Sequence, residues 1–208
     1  MMKLGIIVVL LLMSTNTYAA DVDSVMTEFK VFTDFSINVA RLVGFILFGA
    51  SIYTLKKRAD NPNQYPLSMA VYGMISGVFL QIAGFIYTMF YNTMLGVGET
   101  PTNKFLALDI SSLNALTGGS AQHSLLGKMV PAETMSMVLA VLYFVGAVSF
   151  LKGIYLIKDM GQPNTAGGSS SGKLVIVHMG AGLVAMHVTF FGCMLEASFG
   201  FGLMCTTS

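Results

Sequence analysis

Four long apolar stretches set the pattern of the chain, at residues 37–55, 67–91, 134–157 and 174–195. Each is close to the length of about 20 residues that a helix needs to cross a hydrocarbon core about 30 Å thick. In lipid such a stretch must satisfy its own backbone hydrogen bonds, which a helix does. Short polar segments separate the members of each pair, and a long one separates the pairs. The pattern predicts an all-α membrane protein whose four transmembrane helices form two tandem hairpins. The first hairpin covers residues 20–95 and the second residues 134–208, joined by a loop over residues 96–133.

Shorter patterns fill in the rest. Lys3 precedes an apolar run from Leu4 to Met13, and Thr17 and Ala19 supply small residues beyond it. A basic start, an apolar run too short to span and a small-residue cut site predict a secretory signal peptide over residues 1–19. Val25, Phe29 and Phe32 recur at helical spacing and predict an interfacial helix leading into the first span. Leu106, Ile110 and Leu113 predict a short amphipathic helix resting on the membrane. The run from Gly161 to Gly172, rich in glycine and serine, predicts a flexible linker.

Composition narrows the class. Only 10% of residues are charged, against about 25% in soluble domains, too few to solvate a globular surface. A net charge of +1 argues against a nucleic-acid binder, which would show a basic patch. The distribution of charge carries more information than its sum. Lys56, Lys57 and Arg58 lie in the first hairpin loop, and Lys158 and Lys173 border the second. Short basic loops stay in the cytoplasm. This predicts a multi-pass protein of the bacterial inner membrane with both mature termini and the central loop in the periplasm, as the signal peptide also requires.

The two hairpins echo each other. The segment from Val43 to Lys56 aligns with that from Val145 to Lys158, pairing Gly44 with Gly146 and Tyr53 with Tyr155, 102 residues apart in both cases. Ser76-Gly77 pairs with Ala181-Gly182 after a loop three residues longer. The register points to an internal duplication. Two helices per unit make the repeats parallel, whereas many secondary transporters use inverted ones.

Small residues recur on helix faces: Gly73, Gly77 and Gly84 in the second span, and Gly146, Ser149 and Gly153 in the third. Such faces let helices approach closely in lipid, so these residues are candidates for packing, within the chain or between subunits. His178 and His187 lie nine residues apart, about half a turn out of phase, and cannot share one ion. No acidic residue sits deep in a span to partner His187 as a proton relay. Arg41 and Lys152 are read as snorkelling to headgroups, with Asp34 near Arg41. Cys193 and Cys205, the only cysteines, both fall in the oxidising compartment and are expected to form a disulfide. No nucleophile–base set, phosphate loop or metal-ligand spacing occurs, so no enzyme is predicted, and no metal or other cofactor.

The passage from Ser149 to Lys158, followed by the glycine- and serine-rich run and by His178-Met179-Gly180-Ala181-Gly182-Leu183-Val184-Ala185-Met186-His187, resembles the IcmC/DotE group. Those are TraQ-like and TraR-like inner-membrane components of type IVB secretion and conjugation systems. The likeness covers about forty residues of the chain. His187 departs from it, standing where Asn is expected in the group. The hairpin units are also similar to the pilins of VirB-type conjugation systems, which assemble with phospholipid. That similarity implies headgroup contacts for Lys56, Lys57, Arg58, Lys158 and Lys173, and bound phospholipid as the one non-protein component. The expectation is a structural subunit of a type IVB secretion or conjugative apparatus, partnered by its own copies, other subunits and membrane lipid. The alternatives are a tandem pilin-like subunit of a filament and a small proton or solute channel. A channel should line several spans with polar side chains, and only Gln81, His187 and scattered Ser and Thr offer themselves.

Overall fold

The computed structural model describes residues 22–95, 132–162 and 168–199. Among them the chain is helical, with no strand. Helix α1 runs Val22–Asp60, α2 Leu67–Gln81, α3 Ala83–Leu95, α4 Ala132–Leu156, α5 Gly168–Met186 and α6 Val188–Phe199, with a 3-10 turn at Ile157–Gly161 closing α4. The signal peptide, the central-loop helix, Cys205 and the side chain of Cys193 lie outside the described residues.

Two helices, Thr27–Asp60 and Met137–Gly161, are long and apolar enough to cross a membrane. A third candidate is the pair Leu67–Gln81 and Ala83–Thr93, bent by 85° at Ile82. The second helix of each hairpin is interrupted: α2 stops at Gln81, and α5 stops at Met186 before α6 resumes at Val188. Hydrogen bonds still run through both interruptions, from Ile82 N to Val78 O and from His187 N to Leu183 O, each 3.1 Å. No proline causes the bend. Gly84 adjoins it, where a missing Cβ makes a change of direction cheap. Gly84 is buried but lies beyond the bend, so it does not continue the face of Gly73 and Gly77.

Two further expectations change. No separate interfacial helix precedes the first span, because α1 is continuous for 39 residues, about 58 Å at 1.5 Å per residue. Thr33 and Ser36 return their hydroxyls to the carbonyls of Phe29 and Phe32 at 2.8 Å each, so nothing polar breaks the helix there. Phe29 packs beside Leu139 and Ala140 of α4 and tilts against Phe144, ring centroids 6.4 Å apart. The predicted linker is also shorter than its composition suggests. Ile157–Gly161 prolongs α4, and Gly168–Gly172 already belongs to α5, glycine and serine being at home in the first turn of a helix.

Each hairpin closes on a glycine pair. A methyl group on Gly77 would lie 2.8 Å from the Gly44 carbonyl oxygen and 2.9 Å from the Phe48 nitrogen. One on Gly182 would lie 2.7 Å from both the Gly146 oxygen and the Phe150 nitrogen. The match extends to the next residue. A methyl on Gly44 would meet the Gln81 nitrogen at 3.5 Å, and one on Gly146 the Met186 nitrogen at 2.9 Å. The same two registers, 102 residues between first helices and 105 between second helices, thus appear in sequence and in space. Ile82 and His187, where the second helices break, are also equivalent in this register.

The hairpins pack with α1 and α4 parallel. Phe29 meets α4 near one end, and at the other Ser68 at the start of α2 donates to Gly161 O at 3.0 Å. Ser76 donates to Ile154 O at 2.9 Å. Leu80, Ile86, Tyr87, Phe150, Ile154 and Leu183 centre the core.

Gly77→Ala and Gly182→Ala should each loosen a hairpin, by about 1–3 kcal/mol as for other overpacked contacts. Gly49→Ala and Gly180→Ala should not, since nothing lies within 4 Å of their added methyls. Thermal unfolding in detergent, with membrane insertion checked separately, distinguishes the pairs. Equal effects at all four positions would contradict the crossing.

Candidate functional site: a tyrosine–histidine pair between the hairpins

The bend at Ile82 turns α3 towards the second hairpin, and Tyr87 sits one and a half turns after it. Tyr87 is fully buried. Its hydroxyl is hydrogen-bonded to Nε2 of His187, the residue at which α5 gives way to α6. The two rings stack at 5.9 Å between centroids. Tyr91, one turn on, tilts over the same imidazole at 4.6 Å, and Phe150 of α4 meets Tyr87 edge-on at 5.7 Å. Each hairpin therefore contributes the residues around its own break, and the breaks are joined by one polar contact inside an aromatic shell. A buried hydroxyl or imidazole without a partner costs about 1–3 kcal/mol, and here each satisfies the other.

Periodicity and spacing missed Tyr87. The partner of His187 is not a carboxylate in a span but a phenol 100 residues away in sequence. The signal available was a tyrosine within an apolar run. His178 stands apart from this pair and bonds Leu174 O through Nδ1 at 2.9 Å.

The small residues proposed for packing serve within the chain. Gly73 meets the Ser51 hydroxyl, Gly146 and Gly153 face α5, and Ser149 donates to His178 O at 3.1 Å. Arg41 is half-buried and its carbonyl accepts from Gln81 Nε2 at 2.6 Å. Asp34 does not pair with it. Among the described residues the ion pair is Lys158 with Asp159, at 3.0 Å.

The basic residues gather at one end of the bundle. Lys57 lies over the rings of Tyr53 and Tyr65, 4.9 and 5.5 Å from their centroids, and Lys158 over Tyr155 at 4.5 Å. Lys56 and Lys173 are exposed, Arg58 half-buried. Tyrosine beside lysine is the composition of a membrane–water boundary. Lys152 is also exposed. No three His, Cys, Asp or Glu side chains come together among the described residues.

Compared with protein-family models, curated proteins and solved structures, the chain matches none. The site must be read from its own geometry. What that geometry offers is a connection: a polar bond inside the apolar core, holding two helix breaks in register.

Tyr87→Phe and His187→Leu should each lower stability by about 1–3 kcal/mol, since each removes one half of their hydrogen bond. The double variant should lose less than the sum, because the bond the two share is lost only once. Melting temperatures of the four proteins in one detergent check this, and strict additivity would mean the two groups do not interact.

Proposed function

We propose that the protein is a non-enzymatic structural subunit of a type IVB secretion or conjugative transfer apparatus in the bacterial inner membrane, assembling with its own copies and other subunits. The observation that carries this reading is the use of the side chains. No buried side-chain nitrogen or oxygen among the described residues lacks a hydrogen-bond partner. The interior is committed to holding itself together, while α1 presents Leu42, Phe45 and Ile46 outward along an apolar side. A long exposed apolar helix face is what a membrane subunit offers to lipid and to neighbours. The likeness of residues 149–187 to the IcmC/DotE group supplies the kind of machine. In this reading a signal peptide is cleaved after Ala19, both termini are periplasmic, and Lys56, Lys57, Arg58, Lys158 and Lys173 meet phospholipid headgroups.

One observation favours a second reading, a small proton or solute channel. Interrupted helices at matching positions of two repeats are where many transporters bind their cargo, and Tyr87 and His187 join two such interruptions. Proteoliposomes holding the purified protein should then dissipate a pH gradient, and His187→Leu should abolish the leak.

The apparatus reading makes two predictions. Deleting the gene from a donor strain should abolish conjugal or effector transfer, complementation should restore it, and the tagged protein should bring other transfer subunits with it from gentle detergent. Transfer at the parental rate from the deletion strain refutes it. Cysteines introduced at Asn63 and Ser170 should resist impermeant thiol reagents in intact cells, and should react once the membrane is opened. Labelling in intact cells would invert the topology.

A further inference from the structure

The two hairpins are equivalent, yet they pack against each other asymmetrically. In the first hairpin α2 seats on the end of α4: Ser68 bonds Gly161 O, Ser76 bonds Ile154 O, and Tyr72, Ile75 and Phe79 pack into the shared core. Among the described residues α5, the equivalent of α2, has no comparable seat on α1, the equivalent of α4. A contact of this kind joins one side of a unit to a different side of the next, so two units leave one copy of each side unused.

Both unused sides can be located with the registers established above. On α4 the buried positions Ala147, Phe150, Leu151 and Ile154 correspond to Phe45, Phe48, Gly49 and Ile52 of α1. Ile154 is 0% exposed and Ile52 50%; Ala147 is 2% exposed and Phe45 72%. Gly49, opposite nothing within 4 Å, stands where Leu151 is packed. On α2 the seating residues Tyr72, Ser76 and Phe79 correspond to Val177, Ala181 and Val184 of α5. Ser76 is fully buried, whereas Val177 is 60% exposed and Ala181 and Val184 are exposed too. Ile75 corresponds to Gly180, which again meets nothing within 4 Å. The best covered positions of the internal contact are exposed in their duplicates: Ala147 and Ile154 against Phe45 and Ile52, and Ser76 against Ala181. Both duplicates are apolar and both survive the substitutions without a buried charge.

We propose that the outer face of α5 docks on the outer face of α1 of a second copy of this chain, repeating the contact that joins the two hairpins. Because α1 and α4 run parallel, the operation keeps every copy in the same orientation across the membrane, so the chain extends in the membrane plane. It closes as a ring or continues as a row according to its rotation. Two hydroxyl bonds of the internal contact are not repeated. Ala181 stands for Ser76, and Lys173 stands for Ser68, which sets an ammonium beside the last carbonyls of α1 and Asp60 of the neighbour, a favourable place for a cation. The inference deepens the assembly part of the reading above by naming the surfaces, and it holds whatever apparatus the protein serves.

Cysteine cross-linking in native membranes tests it. In a background carrying Cys193→Ser and Cys205→Ser, Ala59→Cys and Lys173→Cys occupy the positions equivalent to Gly161 and Ser68, and Ile52→Cys and Ala181→Cys those equivalent to Ile154 and Ser76. Co-expressed copies carrying one member of a pair each should give a cross-linked dimer on mild oxidation, and a single chain carrying both should give a ladder. Ser76→Cys with Ile154→Cys in one chain is the control, at the internal contact itself, closing within the monomer without a change of mass. If the control closes but neither pair yields dimers or ladders, lipid or another protein covers these faces and the proposal is overturned. Dimers formed instead by Ile52→Cys with itself would show a symmetric contact and overturn it equally. Loss of the cross-link with transfer intact separates failure of this surface from failure of the functional reading.

Discussion

Two helix backbones can touch only where neither carries a side chain, and each hairpin of this protein closes at such a point. In lipid no water is released when apolar helices meet, so their association rests on the number of atoms in contact. Gly44 against Gly77 and Gly146 against Gly182 bring that number up by letting main chain lie on main chain. The approach then fixes what surrounds it. Phe48 and Phe150 lie directly beside the crossings, and Ser76, one residue before the crossing glycine, is carried within reach of the α4 carbonyls. The bend at Ile82 follows soon after, and it is the bend that brings Tyr87 to His187.

Much of this was legible in the sequence, and the limits are instructive. Helix content, pairing into hairpins and the register of the duplication follow from hydropathy and from the spacing of Gly44, Gly77, Gly146 and Gly182. Hydropathy measures length along the chain but not direction, so residues 67–91 read as one straight span although the structure turns 85° at Ile82. Likewise the spacing of Val25, Phe29 and Phe32 reads as an interfacial helix leading into the first span. A helix whose hydroxyls bond their own backbone has no reason to stop there, and α1 continues. Composition made residues 161–172 a linker, yet helix termini accept the same residues that linkers prefer.

The candidate site was the least legible part. His187 stands out in the sequence as an ionisable group in an apolar segment, but its partner depends on how two hairpins dock, and no periodicity within one helix reports that. Tyr87 is an ordinary aromatic by every local measure. Only the docking turns it from lipid-compatible bulk into the group that completes the imidazole.

The covalent link between the hairpins has a consequence of its own. Residues 96–131 join one hairpin to the other in sequence, so their contact forms within one molecule and not between two. An interface held closed in this way need not be strong to be fully populated. Its contacts are the two serine–carbonyl bonds, the Tyr87–His187 bond and the shared apolar core. Cutting the tether would leave the contact to stand alone: coexpressed as separate chains, the hairpins would remain paired only as far as these contacts, and confinement to a thin two-dimensional layer, replace the lost connection.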